Sequence, residues 1–252
     1  MRQSLDGVRR MLEIRGLCKN FGGLKAINDV SLDLKRGQLL GVIGPNGAGK
    51  TTLLNLITGY LSPTAGTVSL HGRDITGLKP FQICHIGITR TFQVVQPFTE
   101  MTVMENVVTG ALFSQKKSIC VEEARERCID PLRKVGLLAK QDQLAGALTQ
   151  GEKKKLEFAR ALATRPEILL LDEVMAGLTR GEIEEMMEML TGVNESGVTI
   201  LMIEHLVHVI LALADRVFVL DFGEELFQGT PDEVMSHPEV IESYLGRPLE
   251  VS

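Results

Sequence analysis

The chain has 252 residues, of which 44% are hydrophobic and 4% aromatic, and a formal charge of −5. That length and apolar content allow a large α/β core with a subdomain and exclude a disordered chain. The acidic balance and the absence of tryptophan speak against a protein that grips nucleic acid through a basic stripe or a base-stacking platform, and no apolar run approaches the ~18–20 residues of a membrane-spanning helix.

Residues 1–10 are polar and read as a leader, without the apolar region of a signal peptide. Three pieces follow in which polar and apolar residues alternate: LEIRGL from Leu12, VSLDL over Val30–Leu34 and TVSLHG over Thr67–Gly72. A period of two predicts a small antiparallel sheet with one wet face. QLLGVIG (Gln38–Gly44) is instead almost continuously apolar, as a strand covered on both faces must be. The same signature recurs in EILLLD (Glu167–Asp172), VTILMIEH (Val198–His205) and RVFVLD (Arg216–Asp221). Between the first and second of these, Ile183, Met186, Met187 and Leu190 recur at helical spacing and form one apolar stripe. Buried strands alternating with helices predict a mainly parallel sheet with helical crossovers. From Met101 to Thr164 there is no buried strand. MTVMENVVTGALF, VEEARERCIDPLRKVGL and GEKKKLEFARALA read as helices. The expected organisation is an α/β core over 11–95 and 165–252, carrying the antiparallel sheet, with a helical subdomain inserted over 96–164. Cys18, Cys84, Cys120 and Cys128 are widely spaced, with no C-x-x-C, and are expected to be reduced, buried thiols.

GPNGAGKT, Gly44 to Thr51, matches G-x-x-x-x-G-K-[ST]. Its flanks are the right ones: a buried strand before it, and TTLLNLITG as a helix after it. Gly44, Gly47 and Gly49 let the backbone come close and turn its N–H groups inward, so that the loop and the helix N-terminus form an anion cradle. Pro45, Asn46 and Ala48 complete the loop, and Thr52 is the next residue of the helix. Lys50 is expected on the β- and γ-phosphates and the Thr51 hydroxyl on Mg²⁺, an ion that takes few protein ligands. The motif alone says nucleotide binding, since kinases, GTPases, helicases and transporters share it.

Open α/β sheets place ligands at the carboxyl ends of their strands. Asp172, at the end of ILLLD, is therefore expected beside the phosphate loop, holding Mg²⁺ through a water. Glu173 is expected to accept a proton from an attacking water, although an acid there also suits the first turn of a helix. His205 ends the next buried strand; it can donate to a γ-phosphate oxygen, or simply cap the following helix. Gln93, at the exit of a short strand, can bind Mg²⁺ or water, but a lone glutamine says little.

LTQGEKKKLEFARAL, Leu148 to Leu162, opens with Thr149 and Glu152 at the spacing of a capping box. Lys153, Lys154 and Lys155 follow, and cations there oppose the helix dipole. Those lysines suit an anion brought to that helix end, or else a solvated basic face.

As an ordered set, these residues resemble the ATP-binding subunits of ABC transporters, and the likeness spans nearly the whole chain. The set is Phe21, the phosphate loop, Gln93, LTQGE at 148–152, LLLDE at 169–173, AGL at 176–178 and His205. The resemblance implies a P-loop NTPase core. Phe21 would stack on adenine. Lys50, Thr51, Gln93 and Asp172 would hold the phosphates and Mg²⁺. Glu173 would polarise water, and His205 would contact the γ-phosphate. Thr149, Gly151 and Glu152 would stand in the family's signature, which meets ATP bound to a second ATP-binding subunit, head to tail. Transmembrane permease subunits would be the other partners, on the cytoplasmic face of the membrane. FGGLKAINDVSLDL, GITRTFQ, MTVMENVVTGAL and HPEVIESYLG look like the subunits that energise import of branched-chain or hydrophobic amino acids. Related short ATPases serve lipopolysaccharide export and urea-type import. ABC ATPases of DNA repair or the ribosome share the core, but they usually add coiled coils, zinc modules or a second core. Three departures stand out: Gln150 replaces the first signature glycine, Val174 the usual proline, and Thr179 the usual Asp or Asn. Gln150 is expected to sit in ordinary helical-entry geometry, with close backbone approach needed only at Gly151.

Overall fold

A computed structural model describes residues 10–92, 96–113 and 119–245, the side chains of 244 and 245 excepted. In chain order its main elements are β1 (Arg10–Phe21), β2 (Leu24–Lys35), β3 (Leu39–Ile43), α1 (Lys50–Ile57), β4 (Ala65–Leu70), β5 (Arg73–Asp74), α2 (Pro80–His85), β6 (Ile88–Arg90), α3 (Val103–Phe113), α4 (Val121–Lys134), α5 (Gln150–Ala163), β7 (Ile168–Asp172), α6 (Arg180–Glu195), β8 (Thr199–Ile203), α7 (Val207–Leu213), β9 (Arg216–Asp221), β10 (Glu224–Gly229) and α8 (Pro231–Ser236). The described residues fall into two compact units, one within Met1–Lys79 and Thr199–Ser252, the other within Pro80–Val198.

The first unit holds an antiparallel sheet of order β2-β1-β4-β5. Leu12 pairs with Leu34 and Ile14 with Leu32, and all four are buried while Arg15 is exposed. This is the wet-faced sheet that the alternating pattern predicts. β3 runs parallel to β8 (Leu39↔Ile200, Val42↔Ile203) and to β9 (Leu40↔Arg216, Ile43↔Val219). β3 and β8 are buried along their whole length, where each Leu, Ile or Val contributes about 1.5–3 kcal/mol. Gly41 lets α7 close on β3, since an added Cβ would lie 2.4 Å from Ile210. β10 pairs antiparallel with β9. Its sequence gives no strand signal, because EELFQG is polar at both ends and half-exposed along most of its length.

In the second unit β6 and β7 are parallel, with Ile88↔Ile168 and Arg90↔Leu170 in register. α3, α4 and α5 supply the expected helices. α3 and α5 approach closely at Gly110, where a Cβ would lie 2.5 Å from the Arg160 carbonyl oxygen. α6 buries Met186 and Leu190 of the predicted stripe together with Val193, while Ile183 and Met187 are only half-buried. The contact boundaries fall at 79/80 and 198/199, wider than the 96–164 insertion read from helix content, because β6, β7 and α6 pack within the same unit as the helices.

A threonine followed three residues later by a glutamate opens four of the helices. Reciprocal bonds join Thr102 with Glu105, Thr149 with Glu152, Thr179 with Glu182 and Thr230 with Glu233. All four cysteines are free thiols. Burial pushes the Cys128 thiol up to about 11. Only Cys128 is buried as expected: Cys18 and Cys84 are half-buried, and Cys120 is exposed, its sulfur capping α4 by accepting from the Glu123 N–H. Among the described residues no helix is long and apolar enough to cross a membrane.

Candidate functional site

In the first unit the sequence from β3 to α1 folds as strand, loop and helix. Gly44, Gly47 and Gly49 have φ of 155°, 82° and 104°, conformations that a β-carbon disfavours. Two of them are also pressed from behind. A Cβ on Gly44 would lie 2.0 Å from the Leu220 carbonyl oxygen, and one on Gly49 would lie 2.5 Å from that of Ala26. Gly49 is the N-cap of α1, which therefore has no side-chain cap bond. Lys50 is 6% exposed, and its ammonium donates to the carbonyls of Gly44 (2.6 Å) and Pro45 (3.0 Å). Thr51 is exposed and Thr52 half-buried; Asn46 and Gly47 lie at the loop's exposed tip and Ala48 is buried beneath it.

The same edge gathers two further candidates. Because β3 and β8 are parallel and in register, the end of β8 emerges beside the loop, and His205 follows it, exposed. The N-cap of α7 is Leu206, so His205 does not cap that helix. Phe21, 47% exposed, ends β1 and pairs with Leu24, two residues before the Ala26 carbonyl that backs Gly49. Its ring carries the Lys19 ammonium 5.2 Å from its centroid.

In the second unit Asp172 ends β7 and is 3% exposed. The Arg90 guanidinium, from the neighbouring strand β6, donates to its Oδ2 at 2.6 Å. Its other oxygen, Oδ1, is buried with no hydrogen-bond partner among the described residues. Burying such an oxygen costs free energy of order 1–3 kcal/mol, which a water donating to it, or a cation it coordinates, would offset. Glu173 follows at φ 52°, left-handed backbone that costs a non-glycine residue of order 1–3 kcal/mol. Gln93, expected on the segment after β6, lies outside the described residues.

α5 also belongs to this unit and begins as expected. Thr149 is its N-cap and the capping box with Glu152 is closed. A bond from Lys140, followed by the Thr149 N–H, holds the Glu152 carboxyl below the usual range. Gln150 is the first helical residue and is absent from the residues with positive φ, so this departure from glycine is unstrained. At Gly151 the group that comes close is the Glu182 carboxylate: a Cβ would lie 2.1 Å from its Oε1. Thr179 caps α6 with its own box.

The lysine run is corrected by the structure. Of the three, Lys154 is 6% exposed and donates to the backbone carbonyls of Val174 (2.9 Å) and Glu173 (3.5 Å). Lys155 pairs with Glu185. They do not form a shared basic face for an anion, because α5 turns each lysine roughly 100° from the last. One turn on, Glu157 is 8% exposed and accepts the Phe92 N–H at 2.7 Å; burial pushes its carboxyl up, against that bond. Sequence reasoning missed Arg90, Lys154 and Glu157. The signal for Lys154 was there: it lies four residues before Phe158 and seven before Ala161, on the stripe that α5 buries.

Residues 27–176 match the ABC transporter family, and residues 224–249 match a segment described as branched-chain amino acid ATP-binding cassette transporter. A high-affinity branched-chain amino acid transport ATP-binding protein from Salmonella typhimurium is 41% identical over 94% of this chain and 98% of its own length. The ADP conformation of MJ1267, an ATP-binding cassette of an ABC transporter, superimposes with a TM-score of 0.86 at 35% identity, covering 94% of this chain and 99% of that one. A dimeric bacterial cassette, MJ0796, does so with a TM-score of 0.79 at 27% identity, covering 88% and 99%. A loop built to cradle phosphate, an acid pair ending a buried strand and these likenesses together place the chain in the ABC transporter family, among its ATP-hydrolysing cassettes.

Proposed function

We propose that this chain binds ATP with Mg²⁺ and hydrolyses it to energise uptake of branched-chain or other hydrophobic amino acids through membrane-embedded permease subunits. Residues Gly44–Thr52 hold the phosphates and Phe21 stacks on the adenine. Thr51, Gln93 and Asp172 hold Mg²⁺, which neutralises phosphate charge; the buried, partnerless Oδ1 of Asp172 suits a water on that ion. Glu173 takes the proton of the attacking water, and His205 and Gln93 orient the γ-phosphate and that water. Thr149, Gly151 and Glu152 meet ATP held by a second cassette, either another copy or a related ATPase, in a head-to-tail pair. The chain then works on the cytoplasmic face of the membrane, held there by its permease.

The observation that carries the amino-acid reading is the double match, to the ATPase core over 27–176 and to the branched-chain amino acid segment over 224–249. The test is to co-purify the chain with its membrane subunits, reconstitute them in vesicles with ATP on the cassette side, and follow uptake of labelled leucine and urea. Leucine uptake that stops in Glu173→Gln supports the proposal. Movement of urea alone, or of a lipid outward, would replace the substrate class and leave the ATPase reading intact.

A further inference from the structure

Glu173 sits in left-handed backbone, φ 52°, without being a glycine, so its surroundings must hold it there. Two buried cations grip the segment. Arg90 fixes the Asp172 side chain on one side. On the other, Lys154 donates to the carbonyl oxygen of Val174 at 2.9 Å and, more weakly, to that of Glu173 at 3.5 Å. The Lys154 ammonium reaches them from α5, whose N-terminus carries Thr149 and Gly151.

A buried ammonium is costly unless it is paired and bonded. Glu157, one turn along the same face of α5, supplies opposite charge nearby: burial raises its pKa, while the Phe92 N–H, then the charges of Arg160 and Lys154, lower it. Glu157 is itself committed to backbone, accepting the Phe92 N–H at 2.7 Å. α5 thus turns two opposite charges inward and spends each on the main chain of a different segment, residues 173–174 and residue 92. A lysine that only filled space would need neither carbonyl, and one that only neutralised Glu157 would not have to reach residues 173 and 174.

We propose that Lys154 is a positioning residue for hydrolysis: its bonds to the carbonyls of Glu173 and Val174 hold the Glu173 backbone left-handed and so aim the carboxylate at the attacking water. This rests on Glu173 being the base. Without the clamp, Glu173 can relax to a more favourable backbone conformation, which swings its carboxylate away. ATP affinity should stay, because the phosphate loop is built by β3 and α1 and uses none of these bonds.

The test uses the full chain, comparing steady-state ATP turnover and the affinity for a fluorescent ATP analogue. Lys154→Met keeps the length of the side chain and removes its donors. It should lower kcat at least tenfold with KM and analogue affinity within twofold. Lys154→Arg, which keeps donors at that depth, should recover kcat to within about threefold of the parent. Lys154→Met with Glu157→Gln removes both charges and retains an acceptor for Phe92, so it avoids leaving a lone buried carboxylate; it should show the same loss as Lys154→Met. Parent-like kcat in the double variant would overturn the proposal, as would a Lys154→Arg no better than Lys154→Met. In a Glu173→Gln background, Lys154→Met should remove less than twofold of the residual turnover, and a full tenfold further loss would show that Lys154 acts on something other than Glu173. Glu173→Gln turning over like the parent would sink the base assignment instead, a result that the Lys154 variants alone cannot produce.

Discussion

Two helices in this chain begin with residues expected to meet phosphate, and they begin in opposite ways. α1 starts behind Gly49, in left-handed backbone, with no side-chain cap. α5 starts behind Thr149 with both halves of a capping box closed and a carboxylate in its first turn. A helix N-terminus presents unpaired N–H groups and roughly half a positive charge. At α1 a buried lysine adds to that charge; at α5 Glu152 already opposes it. The first arrangement suits an anion held through the whole cycle. The second suits one that is met and let go, with the Thr149 hydroxyl still able to donate while its oxygen accepts from Glu152.

The largest effects should come from Glu173 and Lys50. Glu173→Gln should cut steady-state hydrolysis by about 10²–10⁴-fold, the usual worth of a general base, with ATP affinity retained and an ATP-bound dimer favoured in gel filtration. Parent turnover in that variant would remove Glu173 from the chemistry. Lys50→Ala should act on binding itself: a charge-assisted bond is worth about 1.5–3 kcal/mol, or about 10–150-fold in affinity. Unchanged affinity, measured by titration calorimetry, would mean that the loop is not where the phosphates sit.

The contrast also shows what could be read in the letters. The loop from Gly44 to Thr51 was legible because its pattern is local: three glycines, a lysine and a threonine stand at fixed spacing between a strand and a helix. Asp172 and Glu173 were legible because a buried strand announces itself by composition and ends where it stops being apolar. Thr149 and Glu152 were legible as a cap, although Thr102, Thr179 and Thr230 repeat the pattern, so the box by itself says nothing about ATP. Arg90, Lys154 and Glu157 were opaque for one reason. Their partners lie 82, 20 and 65 residues away in sequence, and a charged residue buried against distant backbone looks, in a string of letters, like a charged residue on the surface. β10 was hidden for the converse reason: only the pairing with β9 makes a strand of half-exposed polar residues.

If the cap of α5 serves ATP while an identical cap elsewhere serves only its helix, the two should part company under the same mutation. Thr149→Ala and Thr230→Ala each remove an N-cap worth about 1 kcal/mol, and both should lower the melting temperature by about 2–4 °C. Thr149→Ala should also weaken ATP-dependent dimerisation severalfold, while Thr230→Ala, in α8, leaves it alone. Equal dimerisation in both variants would reduce Thr149 to a cap.

The smallest effects concern the charges at the start of α5. Hydrogen bonds to Lys140 and Thr149 hold the Glu152 pKa below its ordinary value, so the folded state binds that proton less readily than the unfolded chain. The stability this contributes is present above the unfolded carboxylate range, about 4.3, and drains away as pH falls through the lower folded pKa. Glu152→Gln should therefore flatten the fall in melting temperature below pH 5, and an unaltered acid limb would show that the bonds are not kept in solution. Lys153 tests the dipole alone, since its two neighbours are committed, Lys154 to carbonyls and Lys155 to Glu185. A cation in the first turn of a helix opposes the dipole by about 0.3–1 kcal/mol. Lys153→Gln should thus raise the melting temperature by a few degrees at most, and less at high salt, because exposed charges are screened. Should the variant melt lower instead, Lys153 would be satisfying an acid in the folded protein, and the start of α5 would be held by charge pairing along its whole lysine run.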